Sequence, residues 1–509
     1  MLKKPFIRKK ALLRFGSGFA LFALFATAVN VVLFPYARNY YRYDVAFQLP
    51  LFALAAAFFL LIGHLLSRAQ HPTLERAERI VRPAVTLFFL TVHLLLGYWM
   101  EYIPQGDNRL IYDGAKMLIT TGHFTEPLFP SYYAHFHNQW GALLLTTSFF
   151  KLLYALHIEN TFYALVIVQS LLYAAAIPLL FSIVRKLCGL RAELMTALML
   201  ILCFPFYLAS SILYTDTFSL PFLIFTLYFA IRVSEQKSLR GTLIHSFFCG
   251  LSAAIGCQIK MTVAIILIAA AILWLLTMRP SRMIPSVLII VALVFGASSL
   301  TQRAMTAKVL DPQVAARNKT PLIHWVMMSI PTGNNPHGGY CDDYTPTWNL
   351  IDAGASHEEV MDSIYTRIKD RIYTLRYPNR LFTAVMRKNA AAMGDGTFGM
   401  TEMLDDLPVR ENAISSIVLQ KRPHYTKYQT ICSAIWGAHL LFAALGVWLD
   451  LRSKDTRRAL LHIVFFGMLL FMLLWEAKSR YIFNFTPLVL MLSASFCCRP
   501  NELFLRKKP

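Results

Sequence analysis

Residues 260–302 read KMTVAIILIAAAILWLLTMRPSRMIPSVLIIVALVFGASSLTQ. Two apolar runs, 261–278 and 283–302, are parted only by a short connection that carries Arg279 and Arg282. Each run approaches the ~20 residues an α-helix needs to cross a ~30 Å hydrocarbon core. The pair reads as two membrane spans with a basic turn between them. Lys260 is the lone charge wedged before the first of them.

Runs of the same kind fill most of the chain. They lie at 15–34, 46–66, 82–100, 160–184, 192–213, 217–232, 242–258, 428–449, 459–475 and 482–497. A shorter piece, 140–156, contains Lys151 and reads as a helix that dips into the membrane. The 509 residues are 56% hydrophobic and 15% charged, with a mean hydropathy of +0.49. A soluble chain carries about 25% charge. The expectation is an all-α polytopic membrane protein of about 12–13 transmembrane helices. A secreted enzyme, a nucleic-acid-binding domain and a coiled coil are excluded.

The net charge of +21 has an address. The polar block 303–427 holds 15 basic and 13 acidic residues, and loop 101–139 holds two and four. The excess therefore lies in the termini and short connections, the positive-inside pattern. It places the basic start 1–14 in the cytoplasm, with 67–81, Arg185, Lys186, Arg191, Arg232, Lys237, Arg240, Arg279, Arg282, Arg452, Lys454, Arg457, Arg458 and the tail Arg506, Lys507 and Lys508. The start reads as an uncleaved first span. Outside fall loop 101–139, block 303–427 and the turns around Asp216, Lys260 and Arg480. Seven of eight cysteines sit in or beside apolar runs. Only Cys341 lies in the polar block, which leaves it no internal disulfide.

Three regions follow: 1–302, a transmembrane region with outer loop 101–139; 303–427, a small α-rich extracytoplasmic domain; and 428–509, a second transmembrane region. Within the domain, Val360, Ile364, Ile368 and Ile372 repeat every four residues, so 356–375 is an amphipathic helix. Ser356 and Glu359 have the spacing of a capping box at its start.

Four motifs could carry chemistry. Asp107 heads a short helix just after a span, where a carboxylate can deprotonate a hydroxyl at the membrane–water boundary; it can equally be a helix cap. Asp216 sits between two apolar runs, costly unless it faces a polar cavity, though Asp also caps helices well. Lys260 suits a phosphate as a point charge, or snorkels. Arg480 in the run 476–481 can grip a phosphate bidentately beside Tyr481, or pair with Glu476 at i,i+4. His135 and His137, with His123 nearby, read as interfacial histidines rather than metal ligands, because no fixed third ligand is evident. Asp342, Asp343, Asp395, Asp405 and Asp406 read as turn and surface acids. No Walker loop, G-x-G-x-x-G or G-x-S-x-G occurs.

The order of these pieces resembles the GT-C superfamily of membrane glycosyltransferases, and most the branch of protein O-mannosyltransferases and lipid A aminoarabinose transferases. There a span is followed by an outer loop with an acid, a Tyr and an Ala. Here these are Asp107, Tyr112 and Ala115, followed by Gly122 and the aromatic stretch 132–140. Asp216 matches the second acid, the glycine-bearing span 250–260 ends in Lys260, and Arg480-Tyr481 matches a late Arg-Tyr. The resemblance covers most of 82–497. Asp107 is followed by Asn108 where the branch often has Glu; the two spans before residue 82 are extra; and block 303–427 is unlike the branch's soluble domains.

The resemblance implies a polyprenyl-phosphate-linked sugar donor, inverting transfer to an unidentified acceptor on the outer face, and a location in the bacterial plasma membrane. It implies Asp107 as general base and Asp216 as the group orienting donor or acceptor. Lys260, Arg480, Tyr481 and Tyr112 would hold the donor and its phosphate. No metal, cofactor or nucleic acid is implied. A lipid or sugar transporter would use the same intramembrane charges, but the chain shows no inverted repeat. A lipid-linked glycan polymerase or ligase shares the lipid-phosphate chemistry.

The charge pattern yields a sidedness test. A cysteine placed beside Gly354 should react with an impermeant thiol reagent added outside, and one beside Lys454 should not. The reverse labelling would overturn the orientation.

Overall fold

The computed structural model describes residues 3–33, 45–403 and 408–499. Asp405, Asp406, the tail Arg506, Lys507 and Lys508, and the first two residues of the basic start lie outside these. In chain order the helices are α1 Lys3–Leu33, α2 Val45–Arg68, α3 His71–Trp99, α4 Gly106–Thr120, α5 Leu128–His135, α6 Trp140–Ala155, α7 Thr161–Cys188, α8 Leu190–Ile201, α9 Thr215–Glu235, α10 Leu239–Ile259, α11 Ala264–Thr277 and α12 Pro280–Lys308. Then come α13 Pro312–Arg317, α14 Leu322–Ser329, α15 Tyr344–Asp352, α16 His357–Thr374, α17 Pro378–Met393, α18 Ser415–Val418, α19 Tyr425–Ser453, α20 Ala459–Leu474 and α21 Thr486–Cys497. Among the described residues there is no strand, only an isolated bridge from Tyr102 to Pro408.

The all-α architecture is the one expected, because a helix satisfies its own backbone groups where no water can. Eight helices among the described residues are long and apolar enough to cross a membrane: α1, α2, α3, α7, α9, α10, α12 and α19. The expected spans 192–213, 261–278, 459–475 and 482–497 are instead shorter helices with 3₁₀ turns or extended connections beside them. Proline is one reason. Pro205 sits in the 3₁₀ turn Phe204–Leu208 that follows α8, and Pro487 opens α21 after the 3₁₀ segment Ser479–Phe485. Proline has no N–H to continue a helix behind it.

α19 is the most buried of the long helices, packed by α1, α2 and α21, whereas α2 and α12 are mostly exposed. Their exposed faces carry Phe47, Leu54, Leu61 and Leu65 on α2, and Leu288, Phe295 and Leu300 on α12. Apolar faces of that extent are costly in water and neutral against lipid. At the far end of α19, Asp450 is buried among Arg458 (Nε to Oδ2 2.6 Å), Arg499 (2.8 Å) and His462 (3.3 Å), tying α19, α20 and α21 together.

Segment 101–160 leaves and returns at one end of the bundle. The Tyr163 ring packs on Tyr98 at 6.0 Å, and its hydroxyl donates to the Leu94 carbonyl at 3.3 Å. Phe162 meets Tyr102 at 5.5 Å. α6 is about 24 Å long at 1.5 Å per residue, too short to cross alone. It starts hard against the end of α10, where a Cβ on Gly141 would lie 2.3 Å from the Gln258 carbonyl oxygen, so only glycine fits.

Block 303–427 divides structurally. α14, α15 and α16 share a small core of Met327, Ile351, Val360 and Ile364. The capping box of Ser356 and Glu359 forms as expected, while Ile372 is exposed. α17 instead rejoins the bundle: Asn30 Nδ2 donates to the Met386 carbonyl at 2.8 Å and Asn389 Nδ2 to Thr27 Oγ1 at 3.0 Å.

Lys388 joins these two parts. It is buried on α17, and its Nζ donates to the Ser329 carbonyl at 2.7 Å. Burial lowers its pKa to about 7 from 10.5, partly offset by the charge of Glu476. Below about 7 folded and unfolded chains both carry the ammonium; between about 7 and 10.5 the folded chain releases its proton first, so stability rises with pH. Lys388→Met should flatten the rise of melting temperature in detergent across that window. An unchanged slope would show that Lys388 does not titrate there.

Candidate active site

Asp107 stands in the first turn of α4, which opens on Gly106 at φ +54°, a left-handed conformation that favours glycine. The positive end of the helix favours a carboxylate there. Two phenols hold it: Tyr132 donates to Oδ1 at 3.0 Å and Tyr214 to Oδ2 at 2.6 Å. Burial and the charge of Asp107 push the Tyr132 phenol well above its ordinary range, so it stays a donor. Arg480 Nη2 lies 4.0 Å from Oδ2. About a third of the Asp107 side chain remains exposed, at 35%. Asp113, a turn and a half further along, pairs with Arg109 at 3.3 Å instead.

Asp216 lies in the first turn of α9 but does not cap it. Tyr214 is the N-cap, without a side-chain bond. The buried Asp216 carboxylate instead accepts from Lys260 Nζ on Oδ1, and Arg480 Nε lies 3.6 Å from Oδ2. Lys260 leaves the end of α10 in an extended conformation, its N–H still bonded to the Gly256 carbonyl at 2.7 Å. That turn carries its ammonium over the Tyr481 ring at 4.2 Å. Arg480 stacks over Tyr214 at 4.8 Å and Tyr481 at 5.6 Å. The 3₁₀ segment bearing Arg480 is fastened to α9 by Asn484 Nδ2 donating to Ser219 Oγ at 2.7 Å.

Asp107, Asp216, Lys260, Arg480 and Tyr481 are thus brought together from four distant parts of the chain. Tyr112 is not among them. Its hydroxyl bonds to Thr161 Oγ1 at 2.7 Å, and its ring packs on Phe150 at 5.3 Å. The position expected for donor binding lines a neighbouring apolar cavity. That cavity, about 200 Å³, is walled by residues such as Ile111, Tyr112, Leu165, Phe218 and Ile259. A second cavity, about 340 Å³, holds Asp107, Glu476, Lys478, Arg480 and several aromatic rings. Tyr214 lines both.

His135 and His137 turn to different partners. His135 Nε2 meets Asp352 at 3.2 Å and its ring stacks on Trp348; His137 stacks on Trp140 at 3.8 Å. Burial lowers the pKa of both, to about 4 for His137. Glu476 accepts from the Tyr481 hydroxyl rather than pairing with Arg480, because the residues between do not form an α-helix that would bring i and i+4 together.

The sequence of the chain matches, over residues 39–499, the family described as conserved hypothetical integral membrane protein. The chain belongs to that family. It is a multi-pass integral membrane protein. No curated protein matches it. Among solved structures it is similar, at 14% identity and a TM-score of 0.32, to the crystal structure of ArnT from Cupriavidus metallidurans bound to undecaprenyl phosphate; the likeness covers 84% of this chain and 78% of that one. A likeness that loose carries no chemistry with it.

Two groups of this family member were not legible as site components. Tyr132 and Tyr214, the donors to Asp107, sit in stretches already conspicuous for aromatic content, but nothing in spacing says which ring turns inward. Asp395 is no surface acid: it is fully buried. It accepts from Thr397 N at 3.0 Å, Thr397 Oγ1 at 2.7 Å and Gly399 N at 2.9 Å, and Ser479 Oγ lies 3.5 Å away, next to Arg480. Asp395 thereby positions the segment that presents Arg480. Asp395→Ala would strand at least two buried donors at about 1–3 kcal/mol each. We expect a clear fall in melting temperature; an unchanged one would mean water replaces the carboxylate.

Proposed function

We propose that the chain is a glycosyltransferase that moves a sugar from a polyprenyl-phosphate donor to an acceptor hydroxyl on the extracytoplasmic face, with inversion. One observation carries the reading. A carboxylate held ready by two phenols, Asp107, lies 4.0 Å from an arginine that shares Asp216 with Lys260, where an apolar cavity meets a polar one.

The chemistry follows from that placement. The isoprenoid chain lies in the apolar cavity and its phosphate at Lys260 and Arg480. Asp216 keeps the two cations side by side, which their mutual repulsion would otherwise oppose, so that both can face the phosphate. The acceptor hydroxyl gives its proton to Asp107 as its oxygen attacks the anomeric carbon. The bond from that carbon to the phosphate oxygen breaks, and its electron pair leaves with polyprenyl phosphate. Lys260 and Arg480 are aimed at the charge that develops there. A single displacement inverts the anomeric centre. In this reading the donor phosphate lies on Tyr481's side of the site, and Tyr112 walls the lipid groove.

The test is release of polyprenyl phosphate from polyprenyl-phosphate sugars by the purified protein. Asp107→Asn keeps size but removes basicity, so turnover should fall by roughly 10²–10⁴-fold with donor binding little changed. Asp113→Asn, which loses only its pairing with Arg109, should be mild. Lys260→Met should weaken donor binding by about 1–3 kcal/mol. Near-normal transfer by Asp107→Asn would reassign the base. Indifference to changes at both Asp107 and Asp216 would sink the glycosyltransferase reading in favour of transport.

A further inference from the structure

The polar cavity beyond Asp107 holds a carboxylate that this mechanism does not use. Glu476 follows α20, is 5% exposed, and spends one oxygen on the Tyr481 hydroxyl. Its other oxygen, Oε2, is buried without a hydrogen-bond partner. The cations around it are engaged elsewhere: Lys260 with Asp216, Lys388 with the Ser329 carbonyl, and Lys478 with Glu402 at 3.6 Å. A buried carboxylate oxygen left unpaired is unfavourable unless a donor arrives.

Three other residues lining the same cavity carry unpaired polar atoms: Gln139 Oε1, on a side chain that is 7% exposed, Trp348 Nε1, and Nε and Nη1 of Arg480. One wall is aromatic. Trp325 and Trp475 stack at 6.0 Å with 29° between their planes, and Phe136 leans on Trp325 at 5.6 Å. A ring face is negative and receives weakly positive C–H groups. The fixed charges select further. Lys478 and Arg480 oppose a ligand ammonium, while Asp107 and Glu476 oppose a ligand acid. What satisfies an unpaired acceptor, an unpaired donor, mixed charges and an aromatic wall together is a neutral ring carrying hydroxyls. The volume, about 340 Å³, lies in the range of small-molecule sites.

We propose that this cavity is a saccharide subsite, with a pyranose packed on Trp325 and Trp475 and its hydroxyls donating to Glu476, which makes Glu476 a specificity-determining residue. The proposal rests on the glycosyltransferase reading, and deepens it by naming what the outer cavity recognises. A small turn of the Glu476 side chain presents Oε2 to the ligand. Because the recognition is by hydrogen bonds to hydroxyls, a sugar lacking the matching hydroxyl should be rejected more strongly than one differing only in apolar surface.

The experiment uses the full chain in detergent, titrated with free hexoses, N-acetylhexosamines and pentoses, and separately with polyprenyl phosphate. Binding is read by tryptophan fluorescence and by calorimetry. At least one saccharide should bind. Glu476→Gln should weaken it by about tenfold, the scale of one lost contact, with polyprenyl phosphate affinity within about twofold. Trp475→Phe, which keeps an aromatic ring, should weaken the saccharide less than Glu476→Gln and supplies a second variant should the first not fold. Competition with a polyprenyl-phosphate sugar but not with polyprenyl phosphate identifies the donor's sugar as the occupant; binding alongside both identifies the acceptor's. Absence of saccharide binding, or equal binding by wild type and Glu476→Gln, overturns the subsite. Saccharide binding without any release of polyprenyl phosphate would leave the subsite standing and overturn the transfer reaction, so the two failures are distinct.

Discussion

Asp216 shares one buried carboxylate between Lys260 and Arg480, and through it the end of α10, the start of α9 and the 3₁₀ segment before α21 are drawn to a point. Removing one partner from such a cluster leaves an uncompensated buried charge, which costs several kcal/mol. The surrounding side chains hold the cluster in place. Tyr481 lies beneath Lys260, Tyr214 beneath Arg480, and Asn484 fastens the arginine's segment to α9.

The placement depends on helices that stop early. Had α10 run on into α11, the backbone would have carried Lys260 along a helix surface. Instead Lys260 is extended, with a 3₁₀ turn after it, and its ammonium reaches sideways. A long helix through 479–485 would likewise have paired Glu476 with Arg480. The 3₁₀ segment separates them, which frees Arg480 for the two aspartates and leaves Glu476 facing the aromatic cavity. Irregular backbone there is tolerable because it lines a polar cavity and is packed by protein. The ion cluster around Asp450, at the opposite end of α19, closes that end of the bundle.

Segment 322–340 completes the polar cavity from a different region of the chain. Trp325 comes from α14 and Tyr340 from the turn after it, and the Gly338 carbonyl accepts from the Ala477 N–H at 2.8 Å, beside Glu476. Lys388 on α17 clamps the same stretch through Ser329. Block 303–427 is therefore not merely an appendage; part of it walls the cavity.

The apolar runs by themselves determined the all-helical, membrane-spanning class, since a stretch of that length and composition has no other way to satisfy its backbone in lipid. They also made Asp107, Asp216, Lys260 and Arg480 conspicuous, because a charge beside an apolar run is expensive and so stands out. Local chemistry was legible too, as in the capping box of α16, where all partners lie within one turn. Hydropathy could not say which runs would break, and so four expected spans are shorter pieces. Nor could it say that Tyr132 and Tyr214 would both turn to Asp107, that Tyr112 would face the apolar cavity, that Asp395 would be buried, or that Glu476 would decline Arg480. Those outcomes depend on contacts between residues tens to hundreds of positions apart. A residue's own neighbours fix its preference for helix and for lipid; which partner its side chain meets is decided only when the helices pack.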